Sequence, residues 1–328
     1  MIFRWYLLQC SHHAIRGQHS DTIQFTAATA DVTQNTLTIS DRQLSDFLSR
    51  HRLPSEFRHT AEQYYLPLAR RLPEIRAGKR QLLMGINGAQ GTGKSTLADF
   101  LRLAAESLFD WRVAVLSIDD FYYTLDERKI LAEKMHPLLM TRGVPGTHDI
   151  DMLGDYLDRL RQLDGDEHIA LPRFDKATDD RAAESCWPSV EGPIDLVILE
   201  GWCVGTVAQA DAELERPVNS LERDEDPDGV WRTYVNDQLK ANYEQIFEQV
   251  DFFVFMRAPG FDAILRWRVE QEEKLADVSP EDSSGLMNKE QIERFLQFYE
   301  RLTRANLAVL PNSADVVFSL DDTHSILA

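Results

Sequence analysis

The chain has 328 residues, of which 43% are hydrophobic, and a formal net charge of −19. That is enough for one large domain or two smaller ones with a substantial core. The acidic balance argues against a nucleic-acid partner, which needs clustered Lys and Arg, and it requires any anionic ligand to be held by a local group of positive charge. The three cysteines, Cys10, Cys186 and Cys203, are few, odd in number and far apart. They suggest neither a disulfide framework nor a zinc site and fit a reducing, cytoplasmic setting. No run of about 18 apolar residues occurs, so neither a transmembrane helix nor a membrane partner is expected. The oligomeric state is not legible.

In chain order, Met1 to Cys10 is apolar in flavour but is interrupted by Arg4 and too short for a signal peptide. It reads as part of an irregular, Thr-rich stretch over residues 1–40. Ser40-Asp41 can cap a helix that starts near Arg42. Phe57 to Arg76 reads as a second helix, with Tyr64, Tyr65, Leu68 and Leu72 on one stripe and with Pro67 and Pro73 kinking or dividing it. Residues 1–79 are therefore expected to form an N-terminal extension, largely helical after residue 40, packed beside a domain over 80–328. From Gln81 the pattern becomes strand, helix, strand. Strands are expected at 81–87, 112–118, 194–199, 251–256 and 315–319, which suggests a parallel α/β sheet with its ligands beyond the carboxyl ends of the strands. Residues 207–228 are acidic, hold two prolines and show no apolar period, and read as a solvated surface insertion. Helices follow at about 231–249, 260–276 and 288–305. Ser279 to Gly285 forms a turn or loop between the last two. No internal repeat is seen.

The chemistry is concentrated in a few motifs. Gly88, Ala89, Gln90, Gly91, Thr92, Gly93, Lys94 and Ser95 form the complete G-x-x-x-x-G-K-[ST] phosphate loop, with Thr96 following it. Its backbone N–H groups cradle nucleotide phosphates, its lysine reaches the β/γ-phosphates and its hydroxyl ligates Mg²⁺. The flanks supply the strand before the loop and the helix after it that the motif requires. The second strand ends in Ser117-Ile118-Asp119-Asp120-Phe121-Tyr122. Neighbours on an extended chain point opposite ways, so only one of the two carboxylates faces the reaction, where it can accept the proton of an attacking alcohol and help fix Mg²⁺. The third strand ends in Leu199-Glu200-Gly201-Trp202, and Glu200 is placed as a second metal-anchoring acid. Two loops offer positive charge to an anionic acceptor: Thr141 to Asp149, with Arg142 and His148, and Pro172 to Lys176, with Arg173 and Lys176. Arg266 and Arg268, on a helix with Trp267, are candidate lid cations.

These motifs, taken in order, resemble the D-glycerate 3-kinase family of plants with its fungal and bacterial relatives, within the wider group of uridine kinases, phosphoribulokinases and pantothenate kinases. Ser-Ile-Asp-Asp-Phe-Tyr, Arg-Gly-Val-Pro-Gly-Thr-His-Asp, Pro-Arg-Phe-Asp-Lys, Leu-Glu-Gly-Trp and Trp267 to Glu272 carry the resemblance, over roughly residues 80–310. It implies an α/β, three-layer P-loop NTPase fold with a mainly parallel central sheet flanked by helices. It also implies ATP and Mg²⁺ as cofactors, Asp119 as the base, and Lys94, Ser95 and Glu200 as phosphate and metal ligands. Tyr122, Arg142, His148, Arg173 and Lys176 become the acceptor residues, and D-glycerate the leading acceptor. A kinase of the same architecture acting on a nucleoside, a sugar phosphate or a pantothenate-like acid is the nearest alternative. A phosphate-loop switch or assembly factor is the alternative from another class, though the Asp119–Asp120 pair and the basic loops favour an acceptor site.

Overall fold

The computed structural model describes residues 38–278 and 287–327, with the side chains of 271–278 excepted. The irregular stretch expected before residue 38 and the loop expected at Ser279 to Gly285 lie outside the described residues. Five strands form the central sheet: β1 Leu82–Gly88, β2 Val113–Ser117, β3 Leu196–Gly201, β4 Phe252–Arg257 and β5 Val316–Ser319. All pair in parallel, in the order β2-β3-β1-β4-β5. Every residue of β1 and β3 is buried. Strands covered by helices on both faces must be apolar throughout rather than alternating, and these runs are.

The period-two geometry of the strands sorts their side chains into two cores. Leu82, Met84 and Ile86 join Leu97, Phe100 and Leu101 of the helix Lys94–Phe109 on one face. Leu83, Ala114, Leu116, Val197 and Leu199 face the other way, towards Leu153, Leu157 and Leu160 of the helix Ile150–Gln162. The first core also takes in the N-terminal helices. The helix Asp41–Arg50 starts at a capping box: the Ser40 hydroxyl accepts from the Gln43 N–H, and the Gln43 side chain accepts from the Ser40 N–H. It buries Leu44, Phe47 and Leu48, and the ring of Phe47 meets Phe100 edge-on at 5.5 Å. The expected division at the prolines is present. The backbone widens into a π-helical turn over Ala61–Tyr65 just before Pro67, which has no N–H to give to the preceding turn. A separate turn over Leu72–Arg76 carries Pro73 near its start, where a missing N–H costs nothing.

Several elements escaped the sequence reading. The helices Leu125–Lys134 and Ile150–Gln162 are capped by Thr124 and Asp149. Two short antiparallel ribbons pair His168–Ala170 with Ser189–Glu191 and Phe174–Asp175 with Asp180–Arg181. The acidic stretch 207–228 also departs from expectation. Asp211, Glu213, Glu215, Asp224, Glu225 and Asp228 are exposed, but Leu214, Leu221, Glu222 and Asp226 are buried. Arg301, from the helix Lys289–Val309, donates to both oxygens of Glu222 at 2.7 and 2.6 Å, and Arg232 pairs with Asp226 at 2.9 Å. The stretch is therefore pinned to the body of the fold by ion pairs whose basic partners lie elsewhere in sequence. Among the described residues, no helix is long and apolar enough to cross a membrane.

A buried pair is costly to break because the surviving charge has no solvent. Glu222→Ala strands Arg301, which is itself buried, and should lower unfolding stability by about 3–5 kcal/mol. Replacing both partners by Met should cost far less. Chemical denaturation of the two variants measures the difference, and equal losses would show that the stranded charge is not the cause.

Candidate active site

The phosphate loop leaves β1 at Gly88 and enters the helix Lys94–Phe109. A Cβ at position 88 would collide with the Thr92 hydroxyl, which donates to the Ala89 carbonyl at 2.8 Å and so closes the turn. Gly93 takes a left-handed φ of 85°, which suits glycine alone among residues without strain. No side chain caps the helix that follows. Its first N–H groups are left for an anion, in the field of the helix dipole.

Glu200, near the end of β3, stands in register with Ile86 of β1 and Ser117 of β2. Ser95 Oγ donates to Glu200 Oε1 at 3.0 Å, and Glu200 Oε2 is buried with no protein partner among the described residues. A hydroxyl, an acid and an unanswered buried oxygen beside the phosphate hollow form the hard-oxygen donor set that Mg²⁺ takes together with nucleotide phosphates and water. Asp119, the third expected metal ligand, has both oxygens engaged. Oδ1 accepts from the Tyr122 hydroxyl at 3.0 Å and Oδ2 from Lys176 Nζ at 2.7 Å. In this arrangement Ser95 and Glu200 are the residues that offer themselves to the ion.

Asp119 and Asp120 lie past the end of β2, in the 3-10 turn Ile118–Phe121 and not on the extended chain expected, yet their carboxylates still point to different partners. Asp120 turns away to anchor the following segment: Oδ2 accepts from Arg173 Nη1 at 3.1 Å and Oδ1 from the Phe174 N–H at 3.1 Å. Asp119 faces Lys176 and Lys94. Burial pushes its carboxyl upward, but the charges of Lys176 and Lys94, with the hydrogen bond from Lys176, outweigh that and hold it at about 2. Asp119 is thus a carboxylate at any ordinary pH.

His148 lies deeper than the sequence suggests. Its ring is 1% exposed and stacks on Tyr122 with centroids 4.4 Å apart, and Nδ1 lies 2.7 Å from the Tyr243 hydroxyl. Burial pushes its pKa down to about 4, against the pull of Asp119. It is a neutral buttress behind Tyr122, not a surface cation for an acceptor. Arg142 is likewise committed, paired with Asp179 and lying over the ring of Phe174. Arg266 pairs with Asp322, and Arg268 sits on the same helix, Phe261–Val278. Trp267, between these two arginines, packs against Gly91 and stacks on His324 at 4.1 Å, while His324 Nδ1 meets the Gly91 carbonyl at 3.0 Å.

No family model matches the chain. It is 26% identical to D-glycerate 3-kinase from Cryptococcus neoformans, whose solved structure superposes with a TM-score of 0.66 over 84% of this chain and 98% of that one. D-glycerate 3-kinase, chloroplastic, of Arabidopsis thaliana is 28% identical over 246 residues, 70% of this chain and 48% of the plant protein. The chain therefore spans about half the length of that relative. An uncharacterised kinase of Schizosaccharomyces pombe is 35% identical over 205 residues, which cover 60% of this chain and 72% of that protein. The chain belongs to the D-glycerate 3-kinase family of P-loop kinases.

In this kinase the loop residues 88–96, Asp119, Tyr122, Lys176, Ser95 and Glu200 come together as the sequence motifs anticipate. Arg142, His148 and Arg173 join the same region, but each already has an internal partner. Tyr243, Asp179, Arg128 and His324 were missed. The first three are isolated residues with no motif around them, and Arg128 sits in a helix that was itself unread. His324 lies well past the last recognisable motif, and nothing local ties it to Gly91.

His148 also generates a test of the site's electrostatics. The unfolded chain binds a proton at this imidazole near 6.5, whereas the folded protein resists protonation until about 4. The stabilisation is complete above the unfolded value and is lost as pH falls through that window, because the unfolded state then binds the extra proton. Between pH 7 and pH 5 the thermal midpoint of the wild type should fall further than that of His148→Gln. Parallel declines would exclude a buried neutral imidazole here.

Proposed function

We propose that this kinase transfers the γ-phosphoryl group of Mg²⁺-ATP to a hydroxyl of a small anionic acceptor, and that the acceptor is D-glycerate, giving 3-phosphoglycerate. The observation that carries the reading is the placement of Asp119. It is an ionised, half-buried carboxylate fixed between Tyr122 and Lys176, in the field of the phosphate-loop Lys94. A switch that only hydrolyses nucleotide has no need of such a group beside a basic hairpin. The Arabidopsis and Cryptococcus relatives, both named for D-glycerate, support the choice of acceptor.

Each residue has a task in this mechanism. The loop N–H groups and Lys94 hold the β- and γ-phosphates and neutralise the charge that develops on them. Ser95 and Glu200 would hold Mg²⁺, which when bound draws charge from the phosphate oxygens. Asp119 accepts a hydrogen bond from the acceptor hydroxyl and aligns it with the γ-phosphorus. With a pKa of about 2 it is a weak base, and that suits a loose transition state in which the proton leaves late. Lys176, now on Asp119, is placed to turn towards the acceptor's carboxylate. Losing that lysine would raise the basicity of Asp119 when the substrate arrives.

Asp119→Asn should lower kcat by on the order of 10²–10⁴ while leaving ATP affinity nearly unchanged. A coupled ADP-release assay and a nucleotide titration separate the two effects. The same assay run over hydroxy acids, sugars, nucleosides and pantothenate tests the acceptor. Turnover of another alcohol with none on D-glycerate would displace the choice made here, and ATP hydrolysis indifferent to every acceptor would remove the kinase reading for this chain.

A further inference from the structure

The acceptor end of the site answers its own cations: Lys176 with Asp119, Arg173 with Asp120, Arg142 with Asp179. Asp119 and Asp120 have further tasks at the end of β2. Asp179 stands apart. It lies in the turn between Phe174–Asp175 and Asp180–Arg181, with a left-handed φ of 56° and 37% of its side chain exposed. It bridges two guanidinium groups of opposite character.

Arg128 is the stationary one. Its side chain is 1% exposed, and it holds Asp179 Oδ2 at 3.0 Å, the Asp179 carbonyl at 2.6 Å, the Met140 carbonyl at 2.8 Å and the Tyr123 carbonyl at 3.2 Å. Arg142 is the movable one. Its side chain is 27% exposed, and Asp179 is its only side-chain hydrogen-bond partner among the described residues. Its guanidinium lies 5.4 Å from the centre of the Phe174 ring, Phe174 meets Tyr122 at 5.3 Å, and Tyr122 bonds Asp119. Two ring contacts thus separate Arg142 from the carboxylate that receives the acceptor hydroxyl. If Arg142 leaves, Asp179 keeps its bond to Arg128, so the exchange strands no charge.

We infer that Asp179 is a specificity-determining residue. It occupies the Arg142 fork while no acceptor is bound, yields the fork to the planar oxyanion of the acceptor, and so weakens the binding of anionic acceptors while leaving neutral alcohols unaffected. The inference rests on the proposal above that the acceptor is an anion. The chain competes with its own substrate: the apparent affinity is reduced by the fraction of molecules in which Arg142 is free. A partly exposed pair sets that fraction within about a factor of ten.

The test uses the full chain. Asp179→Asn keeps the shape of the side chain and an oxygen for Arg128, and thermal melting verifies folding. KM is measured for the anionic acceptor and for the neutral alcohol that the wild type turns over best, with the KM for ATP as internal reference. The KM for the anion should fall about three- to tenfold in Asp179→Asn, the KM for the neutral alcohol should hold, and the gain should vanish in an Arg142→Gln background. An unchanged or raised KM for the anion, an equal gain on the neutral alcohol, or a gain that persists without Arg142 each overturns the inference. In the wild type, the guanidinium ¹⁵N resonances of Arg142 should shift on adding the anionic acceptor while those of Arg128 stay in place. Resonances of Arg142 that do not move overturn the inference even if the Asn variant fails to fold. Turnover of other hydroxy acids but not of D-glycerate would defeat the substrate assignment and leave the Asp179 comparison decisive on those acids. Turnover of neutral alcohols alone would defeat both.

Discussion

Because β1 is hydrogen-bonded along both edges, to β3 on one side and β4 on the other, its carboxyl end cannot slip relative to either neighbour. A one-residue shift would send Leu82, Met84 and Ile86 out of one core and into the other. Everything at the site inherits this register. Gly88 opens the phosphate loop where β1 ends, Glu200 reaches the loop's Ser95 from the next strand, and Ser117, paired with Glu200, delivers Asp119 one strand further out. The donor side and the acceptor side of the chemistry are set by backbone pairing before any side chain is chosen.

Charge is organised on the same plan. A chain with a net charge of −19 nevertheless draws a small set of cations to the region beyond the carboxyl ends of β1 and β2. Lys176, Arg173 and Arg142 are paired with resident carboxylates, which limits the self-repulsion of the positive groups and keeps the hairpin over Phe174–Arg181 in place. Asp120 fixes the hairpin, Asp119 takes Lys176 and the Tyr122 hydroxyl, and Asp179 joins Arg142 to Arg128. Three acids close together thus have three separate tasks, set by which way each one points.

The sheet was legible because its strands are short apolar runs bounded by polar residues, a pattern that covers all five, and the phosphate loop because its geometry allows so few residue types. Lys94 and Ser95 were legible as candidates from the loop motif, and Asp119 and Glu200 because they stand at or just past the ends of β2 and β3. What escaped was mostly long-range. Glu222 looks like any other acid in a run of acids until Arg301 is found 79 residues later. His148 reads as a loop cation until Tyr122 and Tyr243 enclose it. The helix Leu125–Lys134, with Asp126, Glu127, Arg128, Lys129, Glu133 and Lys134, has too little apolar periodicity to announce itself, and the buried Arg128 within it looks like one more surface charge. Tertiary contact decides these cases, and local pattern does not carry it.

The Trp267–His324 stack has a consequence for biosynthesis. His324 follows Gly91 by 233 residues, so a nascent chain exposes its phosphate loop long before the imidazole that braces it has been made. The helix Asp41–Arg50 can meet the helix Lys94–Phe109 early, since Phe47 and Phe100 are close in sequence, but β3 and β4, the neighbours of β1, come more than 100 residues later, and the turn around Asp321 must be translated before Gly91 receives its brace. The contacts of Gly91 with His324 are therefore among the last that the phosphate loop gains as the chain is synthesised.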